Sequence, residues 1–283
     1  MRKIMEERNL KSWTEFKPAI DEIRKKYGYH EFGEVQTYKQ KNTILFRGHA
    51  SSKWQLQTTL ERKTDQKFTL MQYLLNTRKR IYELEAYTGT KWDLPSESSL
   101  RKIVGEQADK MFGPDSLPCY PYLAYLRHHG YPSPLLDWSE SPYIAAYFSM
   151  CDANPNENHV AVFVYIESTN SGKDFYGEGE PLIQTKGSRI TTHKRHFMQK
   201  ACYTVALKWS EERQAHIFCS HHEIFDKHNP NQDILIKITL PTSEKKSVLK
   251  DLDDYNINHF TLFQSEDALV KWLGIKDFDY KDA

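Results

Sequence analysis

Two separated segments of the chain combine residue types that bind anions and transfer protons. The first is Phe46-Arg47-Gly48, in which an arginine ends a short apolar run. An arginine at the end of a strand can present its guanidinium group to a phosphate or a carboxylate. The glycine after it lets a ligand approach the main chain closely. The alternative is a salt-bridged surface arginine followed by a turn glycine.

The second segment covers residues 125–150, which read YLRHHGYPSPLLDWSESPYIAAYFSM. Its His128-His129 pair could act as acid and base or bind a metal, but no third ligand stands at a suitable spacing, so no metal is expected. The alternative is a histidine packed under the proline-rich turn. Asp137 lies inside an apolar run, and a carboxylate there needs a partner. We therefore expect Asp137 to pair with Arg47 or another base, or to face a cleft.

Two further groupings contain residues that could serve as ligands. His216, Cys219, His221 and His222 lie close together, but no matching CxxC or HxxxH pair occurs elsewhere, so zinc is not predicted. Residues 193–196 (HKRH) form a basic cluster that could contact nucleic-acid phosphates, with a solvated loop as the alternative. The GxGxxG, Walker, GxSxG and HExxH patterns are absent from the sequence. This absence disfavours a Rossmann dinucleotide site, a P-loop, the nucleophile elbow of a hydrolase and the zinc site of a zincin.

The elements that must position these residues follow from the spacing of apolar side chains. A helix opens at Ser141-Pro142 and places Tyr143, Ala146 and Tyr147 on one face, and Trp54 is predicted to lie in the core. Further helices are predicted over 11–28, 66–88, 98–112, 243–255 and 265–273, strands over 42–48, 135–139, 160–166, 200–207 and 234–240, and a loop over 167–188. This order predicts one α+β domain with a mixed or antiparallel sheet.

The bulk composition narrows the class of protein. The 283 residues include 39 basic and 38 acidic side chains, so binding to nucleic acid would need a local patch of charge. Four cysteines without a CxxC pair favour a reducing compartment. No apolar run approaches the ~18 residues of a membrane span, and the N-terminus lacks the apolar stretch of a signal peptide. We expect a cytoplasmic protein that does not bind membranes.

The motifs resemble those of the FRG-domain family. The first family motif corresponds to Phe46-Arg47-Gly48, and the second to residues 128–148, while 199–203 and 262–266 resemble the later motifs less closely. The resemblance covers roughly residues 11–273. It implies a single FRG domain over 1–283, in which a helical part of about 1–112 packs on a β-rich part of about 113–275.

The order of these motifs is also similar to that of ADP-ribosyltransferases. This similarity implies a split sheet flanked by helices, with NAD as substrate. Ser139 is the one residue type shared with that fold's second motif, and Asp137 stands where a small hydroxyl side chain is usual. The implied catalytic residues are Arg47, Asp137, Gln199 and Glu266, and the implied NAD-binding residues are Arg47, Gly48, His129, Trp138, Ser139, Tyr143 and Tyr147.

Three hypotheses remain open on the sequence. The first is an NAD-dependent ADP-ribosyltransferase, as a bacterial toxin or anti-phage effector, which modifies nucleic acid or protein and pairs with an antitoxin protein. The second is a non-catalytic module on the same fold that binds nucleotide or nucleic acid, favoured by the weak third motif and the uncertain catalytic glutamate. The third is a nuclease or other hydrolase that uses His129 and Asp137.

Overall fold

A mixed eight-stranded sheet forms the centre of the structure. The computed structural model describes residues 6–31, 39–106, 117–154, 156–169, 173, 180–187 and 194–280. The strands are β1 (Glu6–Asn9), β2 (Tyr29–Glu31), β3 (Lys39–Lys41), β4 (Ile44–His49), β5 (Leu136–Ser139), β6 (His159–Ser168), β7 (Leu182–Lys186), β8 (Ala201–Ser210), β9 (Ala215–Phe218) and β10 (Gln232–Pro241). The sheet runs in the order β1-β10-β6-β4-β5-β8-β7, with β9 also paired to β8, while β2 and β3 form a separate pair. The β1–β10 pair is parallel and the other pairs of the large sheet are antiparallel.

Helices flank this sheet. They are α1 (Phe16–Tyr27), α2 (Thr59–Lys63), α3 (Leu70–Arg78), α4 (Ile81–Thr88), α5 (Glu97–Glu106), α6 (Tyr120–His128), α7 (Pro142–Cys151), α8 (Lys194–Met198), α9 (His222–Phe225), α10 (Lys245–Asp254), α11 (His259–Phe263) and α12 (Glu266–Gly274). Short 3-10 turns cover Trp13–Glu15 and Thr242–Glu244, and a π-helical turn covers Ile275–Asp279. Among the described helices, none has the length and hydrophobicity that crossing a membrane requires.

The alternation of side chains along β4 and β6 divides the core between the two faces of the sheet. Phe46 and Val162 pack with α1, α7 and α10 on one face. Leu45 and Phe163 point to the other face and pack with Trp138 of β5. A third cluster joins β8 to α3, α5 and α6. The sheet takes β1 and β4 from the helix-rich part of the chain, and the described elements form a single domain.

The predicted α+β class, the mixed sheet and most of its central elements are confirmed. Strand β6 matches the continuous apolar run, and α7 opens at Ser141, whose side chain accepts a hydrogen bond from the Ile144 amide at 3.4 Å. Pro142 occupies the first turn of α7, where its missing N–H costs nothing.

Several predicted boundaries differ from the structure. The helix predicted over 66–88 is two helices, α3 and α4, separated at residues 79–80. The loop predicted over 167–188 contains β7, a strand whose apolar run is too short to recognise and which pairing with β8 stabilises. Parts of that loop, and residues 107–112 of the helix predicted over 98–112, lie outside the described residues. Helices α6, α8, α9 and α11 and strands β1, β2, β3 and β9 were not predicted.

Candidate functional site

A cleft of about 750 Å³ lies beside the junction of β4 and β5. These two strands share a single residue pair, Phe46 with Ser139, so they join the two halves of the sheet at only one point. The cleft walls include residues of β4, β5 and β8, Ala145 and Phe148 of α7, and the segment that leads into α2. The Phe-Arg-Gly segment and the Asp-Trp-Ser segment thus meet in one cavity.

Arg47 is fixed in this cleft by two hydrogen bonds. Its Nε donates to His49 Nε2 at 3.0 Å, and its Nη1 donates to the main-chain oxygen of Asp137 at 2.5 Å. Its side chain is only 14% exposed, and burial lowers its pKa to about 10, which still leaves the group charged at neutral pH. Within the described residues its Nη2 atom makes no hydrogen bond, so this nitrogen is available to an anionic ligand.

Asp137 carries the carboxylate nearest to Arg47. It forms an ion pair with Arg127 and a longer one with Arg47, with 3.9 Å between Nη1 and Oδ2. Its side chain is 38% exposed and lines the cleft. The expectation that Asp137 would pair with Arg47 or another base, or face a cleft, is confirmed. Two arginines on one carboxylate leave a positive charge for a ligand to neutralise.

His49 is a neutral support for Arg47. Its side chain is buried, and burial first and the charge of Arg47 second lower its pKa to about 3. A neutral imidazole can accept the hydrogen bond that Arg47 Nε donates, whereas an imidazolium could not. His49 therefore orients the guanidinium group across the physiological pH range.

The side chains around the cleft carry an excess of positive charge. Among the described residues, five that line it are cationic and two are carboxylates. The cations are Arg47, Lys53, Arg62, Arg127 and Arg195, and the carboxylates are Asp137 and Asp152. Such a surface attracts anions and raises their local concentration.

Arg195 is held at the wall of the cleft by an aromatic residue from the C-terminal part of the chain. Its Nε donates to the Phe263 main-chain oxygen at 3.2 Å, and its guanidinium lies 5.4 Å from the centre of the Phe263 ring. Gln199 Nε2 donates to the neighbouring Leu262 oxygen at 3.1 Å. The segment before α12 therefore closes one side of the cleft through main-chain contacts.

A chain of hydrogen bonds connects the cleft to the buried side of β8. Tyr203 pairs with Asp137 across the β5–β8 ladder, and its hydroxyl lies 2.6 Å from His128 Nε2 and 3.3 Å from His196 Nδ1. Both Tyr203 and His128 line the cleft. Burial raises the pKa of Tyr203 far above its usual value, so the hydroxyl keeps its proton. One hydroxyl can donate to one histidine and accept from the other.

The structure explains why position 48 is a glycine by a packing contact that the sequence did not suggest. A Cβ atom at this position would lie 2.0 Å from the Ala145 oxygen and 2.6 Å from the Ser149 nitrogen. The glycine therefore lets the backbone of α7 pack directly on β4. The role predicted for Gly48 was to let a ligand approach the main chain. Its place on the cleft wall is compatible with this role as well as with the close packing of α7.

The comparisons with known proteins bear on this geometry. Residues 42–158 match the family model of the FRG domain. The predicted resemblance to that family is confirmed over this segment, which we call the FRG segment. The comparisons with curated proteins and with solved structures gave no significant match. The ADP-ribosyltransferase-like layout stays a prediction.

The structure brings most of the predicted site residues together. Arg47, Gly48, Asp137, Trp138 and Ser139 of the FRG segment line the cleft, and Gln199 joins them from the loop before β8. Ser139 Oγ donates to the Gln199 main-chain oxygen at 2.8 Å. Trp138 Nε1 donates to Thr204 Oγ1 at 2.8 Å, which fixes the indole in the core beneath the cleft.

Four predicted site residues do not line the cleft. His129 is exposed and packs against Tyr125, with 4.4 Å between ring centres. Tyr147 is buried, and its hydroxyl lies 3.1 Å from His259 Nδ1. Tyr143 packs against aromatic residues of the N-terminal region. Glu266 is exposed in the first turn of α12.

Other residues of the cleft were not assigned to the site from the sequence. Trp54 was predicted to be core, but it is 55% exposed and lines the cleft, so that prediction is wrong. The polar residues on either side of it, Ser52-Lys53 and Gln55, were the available signal. Arg127 precedes His128 and gives no local sign of its ion pair with Asp137, because the pair depends on how α6 packs on β5.

The described residues of the two other histidine-containing groupings noted in the sequence lie in regular or buried parts of the structure. His221 is fully buried, and its Nε2 lies 2.8 Å from Thr204 Oγ1. The described part of the chain contains no group of three or more residues that could hold a metal ion. His193 lies outside the described residues, while Lys194–Met198 form α8 rather than the solvated loop that was the alternative.

Proposed function

We propose that this protein is an NAD-dependent ADP-ribosyltransferase that acts in the cytoplasm. The observation that supports the proposal is the cleft itself, in which a fixed arginine faces a carboxylate within a basic surface. Among the described residues, none hydrogen-bonds to the Nη2 atom of this arginine. The NAD pyrophosphate is an anion that a guanidinium group binds well. The four free cysteines agree with a reducing compartment.

In the proposed reaction Arg47 binds the pyrophosphate and orients the dinucleotide. The bond between ribose C1′ and the nicotinamide nitrogen breaks, and its electron pair leaves with nicotinamide. Positive charge then builds on the ribose, and a carboxylate held nearby stabilises that charge. Asp137 is the acidic residue that we assign to this role, since Arg127 holds its carboxylate at the cleft wall. A nucleophilic atom of the acceptor forms the new bond to C1′ and gives up its proton to solvent.

The test is incubation of the full chain with labelled NAD and a cell extract, with measurement of nicotinamide release and of label transfer. Arg47→Ala should abolish both signals. Arg101→Ala is the matched control, because Arg101 is an exposed arginine on α5 whose partner is Glu97. Wild-type protein that releases no nicotinamide and transfers no label with any extract would contradict the proposal.

A second candidate is a non-catalytic module that binds nucleotide or nucleic acid. It is favoured by the ion pairs of both carboxylates in the cleft: Asp137 pairs with two arginines, and Asp152 pairs with Lys271 at 3.3 Å. Glu266, the other acidic candidate, does not line the cleft. Calorimetry that shows NAD binding without nicotinamide release would favour this module.

The hydrolase hypothesis gains no support from the geometry, because His129 does not line the cleft that contains Asp137. The wider biological role that we propose, a bacterial toxin or anti-phage effector restrained by an antitoxin protein, depends on the transferase activity. Measurement of growth during expression of wild type and of Arg47→Ala tests it, since the variant should not be toxic.

A further inference from the structure

The positive charge of the cleft exceeds what one dinucleotide needs. Among the described residues that line the cleft, five cations against two carboxylates give a surplus of positive charge. Two ion pairs with residues outside the lining, Lys53 with Glu157 and Asp152 with Lys271, offset each other in this balance. The two phosphate charges of NAD are partly offset by its cationic nicotinamide ring, so NAD neutralises only part of this surplus. A second ligand that enters the same cleft should therefore also be anionic.

The outer rim of the cleft has a distinct chemistry. It is formed by residues 53–62, where the exposed indole of Trp54 supplies a flat aromatic surface and Arg62 supplies charge. Lys53 adds a second cation, which forms an ion pair with Glu157 at 3.0 Å. Gln55 and Gln57 also line the cleft and are exposed, so their amides can donate and accept hydrogen bonds. Aromatic surfaces among cations are typical of proteins that bind single-stranded nucleic acids, because an unpaired base can stack on the ring.

A buried side chain and several hydrogen bonds hold the rim in place. Leu56 is fully buried in the core, between the exposed side chains of Gln55 and Gln57. Thr58 caps α2 in a reciprocal pair with Glu61, with hydrogen bonds of 2.7 and 3.2 Å. The Leu60 amide donates to the Ser133 oxygen at 3.1 Å, which ties the rim to the turn before β5. A preformed rim loses little conformational entropy when it binds a ligand.

We propose that this rim binds single-stranded nucleic acid, with a base stacked on Trp54 and phosphates on Lys53 and Arg62. Its role as the acceptor of ADP-ribose rests on the proposed transferase function. An acidic peptide could neutralise the charge, but its carboxylate side chains offer no flat ring to stack on the indole. A duplex keeps its bases stacked inside and cannot use the indole in this way.

The test is fluorescence anisotropy of the full chain with labelled single-stranded DNA and RNA, without NAD. Trp54→Ala should weaken binding about ten-fold or more, since the loss of one stacked base has an effect of that size. Arg62→Gln should weaken binding and reduce the salt dependence by about one phosphate contact. Tyr87→Ala and Arg101→Gln are matched controls, because Tyr87 is 92% exposed on α4, Arg101 is exposed on α5, and neither lines the cleft.

Each outcome separates this inference from the transferase proposal. No binding of single strands, equal binding of a duplex, or full affinity in a folded Trp54→Ala variant would overturn the inference. So would tighter binding of a glutamate-rich peptide than of single strands. Binding that depends on Trp54, together with no nicotinamide release, would support the inference and contradict the transferase proposal. Nicotinamide release without binding of single strands would support the transferase proposal and contradict the inference about the rim.

Discussion

Arg47 donates a hydrogen bond from Nη1 to the main-chain oxygen of Asp137 at 2.5 Å, although the two residues lie 90 positions apart in the chain. The bond spans two strands that share only one residue pair, Phe46 with Ser139. It therefore reinforces the junction between the two halves of the sheet. The same contact fixes the guanidinium group at the wall of the cleft, so one side chain contributes both to the strand junction and to the candidate site.

Arg47→Lys should bind ADP-ribose at least about ten-fold more weakly than wild type. Arg47 uses Nε for His49 and Nη1 for the Asp137 oxygen, and presents Nη2 to the ligand, whereas the three N–H donors of a lysine diverge from one nitrogen and cannot reach all three positions. A hydrogen bond to a charged group contributes about 1.5–3 kcal/mol. Isothermal titration calorimetry measures the affinity, and Arg101→Lys is the control. If Arg47→Lys binds as well as wild type, the fork geometry of Arg47 has no part in binding.

Asp137→Asn should separate binding from turnover. The substitution removes a negative charge from the cleft, so the affinity for ADP-ribose should stay the same or rise. Nicotinamide release should fall about 100-fold or more, because the neutral amide cannot stabilise the charge on the ribose. Steady-state kinetics with NAD and calorimetry with ADP-ribose check the two effects.

Equal losses of affinity and turnover in Asp137→Asn would contradict the catalytic assignment. They would show that Asp137 only holds Arg47 and Arg127 in place. Asp152→Asn is the matched control, since Asp152 lines the same cleft and pairs with Lys271 at its outer side. It should change turnover little.

The sequence predicted the parts of the site that depend on local pattern. Strand β6 is a continuous apolar run, and α7 begins at a serine followed by a proline, so both were recognisable. The pairing of Asp137 was also predictable, because a carboxylate inside an apolar strand needs a cation. These inferences need only neighbouring residues and the cost of burial.

The sequence did not predict residues whose orientation depends on packing between distant elements. The end of α6 turns His128 toward Tyr203 and the cleft, whereas His129 packs on Tyr125. Without knowledge of α6, the two histidines could not be distinguished. Glu266 lies in the first turn of α12, where an acidic side chain interacts favourably with the helix dipole, a local role that its place in the closing motif did not suggest.

The free energy of unfolding should fall as the pH is lowered below about 6. His49 and His221 are buried and neutral, and each has a pKa lowered to about 3. Between the unfolded value of 6.5 and the folded value, the unfolded chain binds protons that the folded chain does not. Each histidine can therefore contribute a slope of up to about 1.4 kcal/mol per pH unit in that window.

His49→Gln should remove one of these contributions and make stability less dependent on pH. The glutamine oxygen can still accept the hydrogen bond from Arg47, so the variant should fold at neutral pH. Urea unfolding at about pH 7 and about pH 5 measures the change. His159→Gln, at an exposed histidine that begins β6, should keep the wild-type dependence. A His49→Gln variant with that same dependence would show that His49 is not kept neutral by the fold.

Gly48→Ala should destabilise the protein by about 1–3 kcal/mol, the usual cost of forcing an extra carbon into a packed interior. The new Cβ would meet the Ala145 oxygen at 2.0 Å and the Ser149 nitrogen at 2.6 Å, and both atoms belong to the backbone of α7. Helix α7 cannot move away easily, because Ile144, Ala145 and Met150 are buried in the core.

The same substitution should also weaken ligand binding, since Ala145 and Phe148 of α7 line the cleft. Urea unfolding measures the stability, and calorimetry with ADP-ribose measures the affinity of the folded fraction. Gly105→Ala is the matched control, because a Cβ there has no atom of the described residues within 4 Å and alanine is favoured over glycine inside a helix by about 1 kcal/mol. Gly48→Ala with wild-type stability would show that α7 can shift on β4. The close approach of the two backbones would then not be the reason for a glycine in the Phe-Arg-Gly motif.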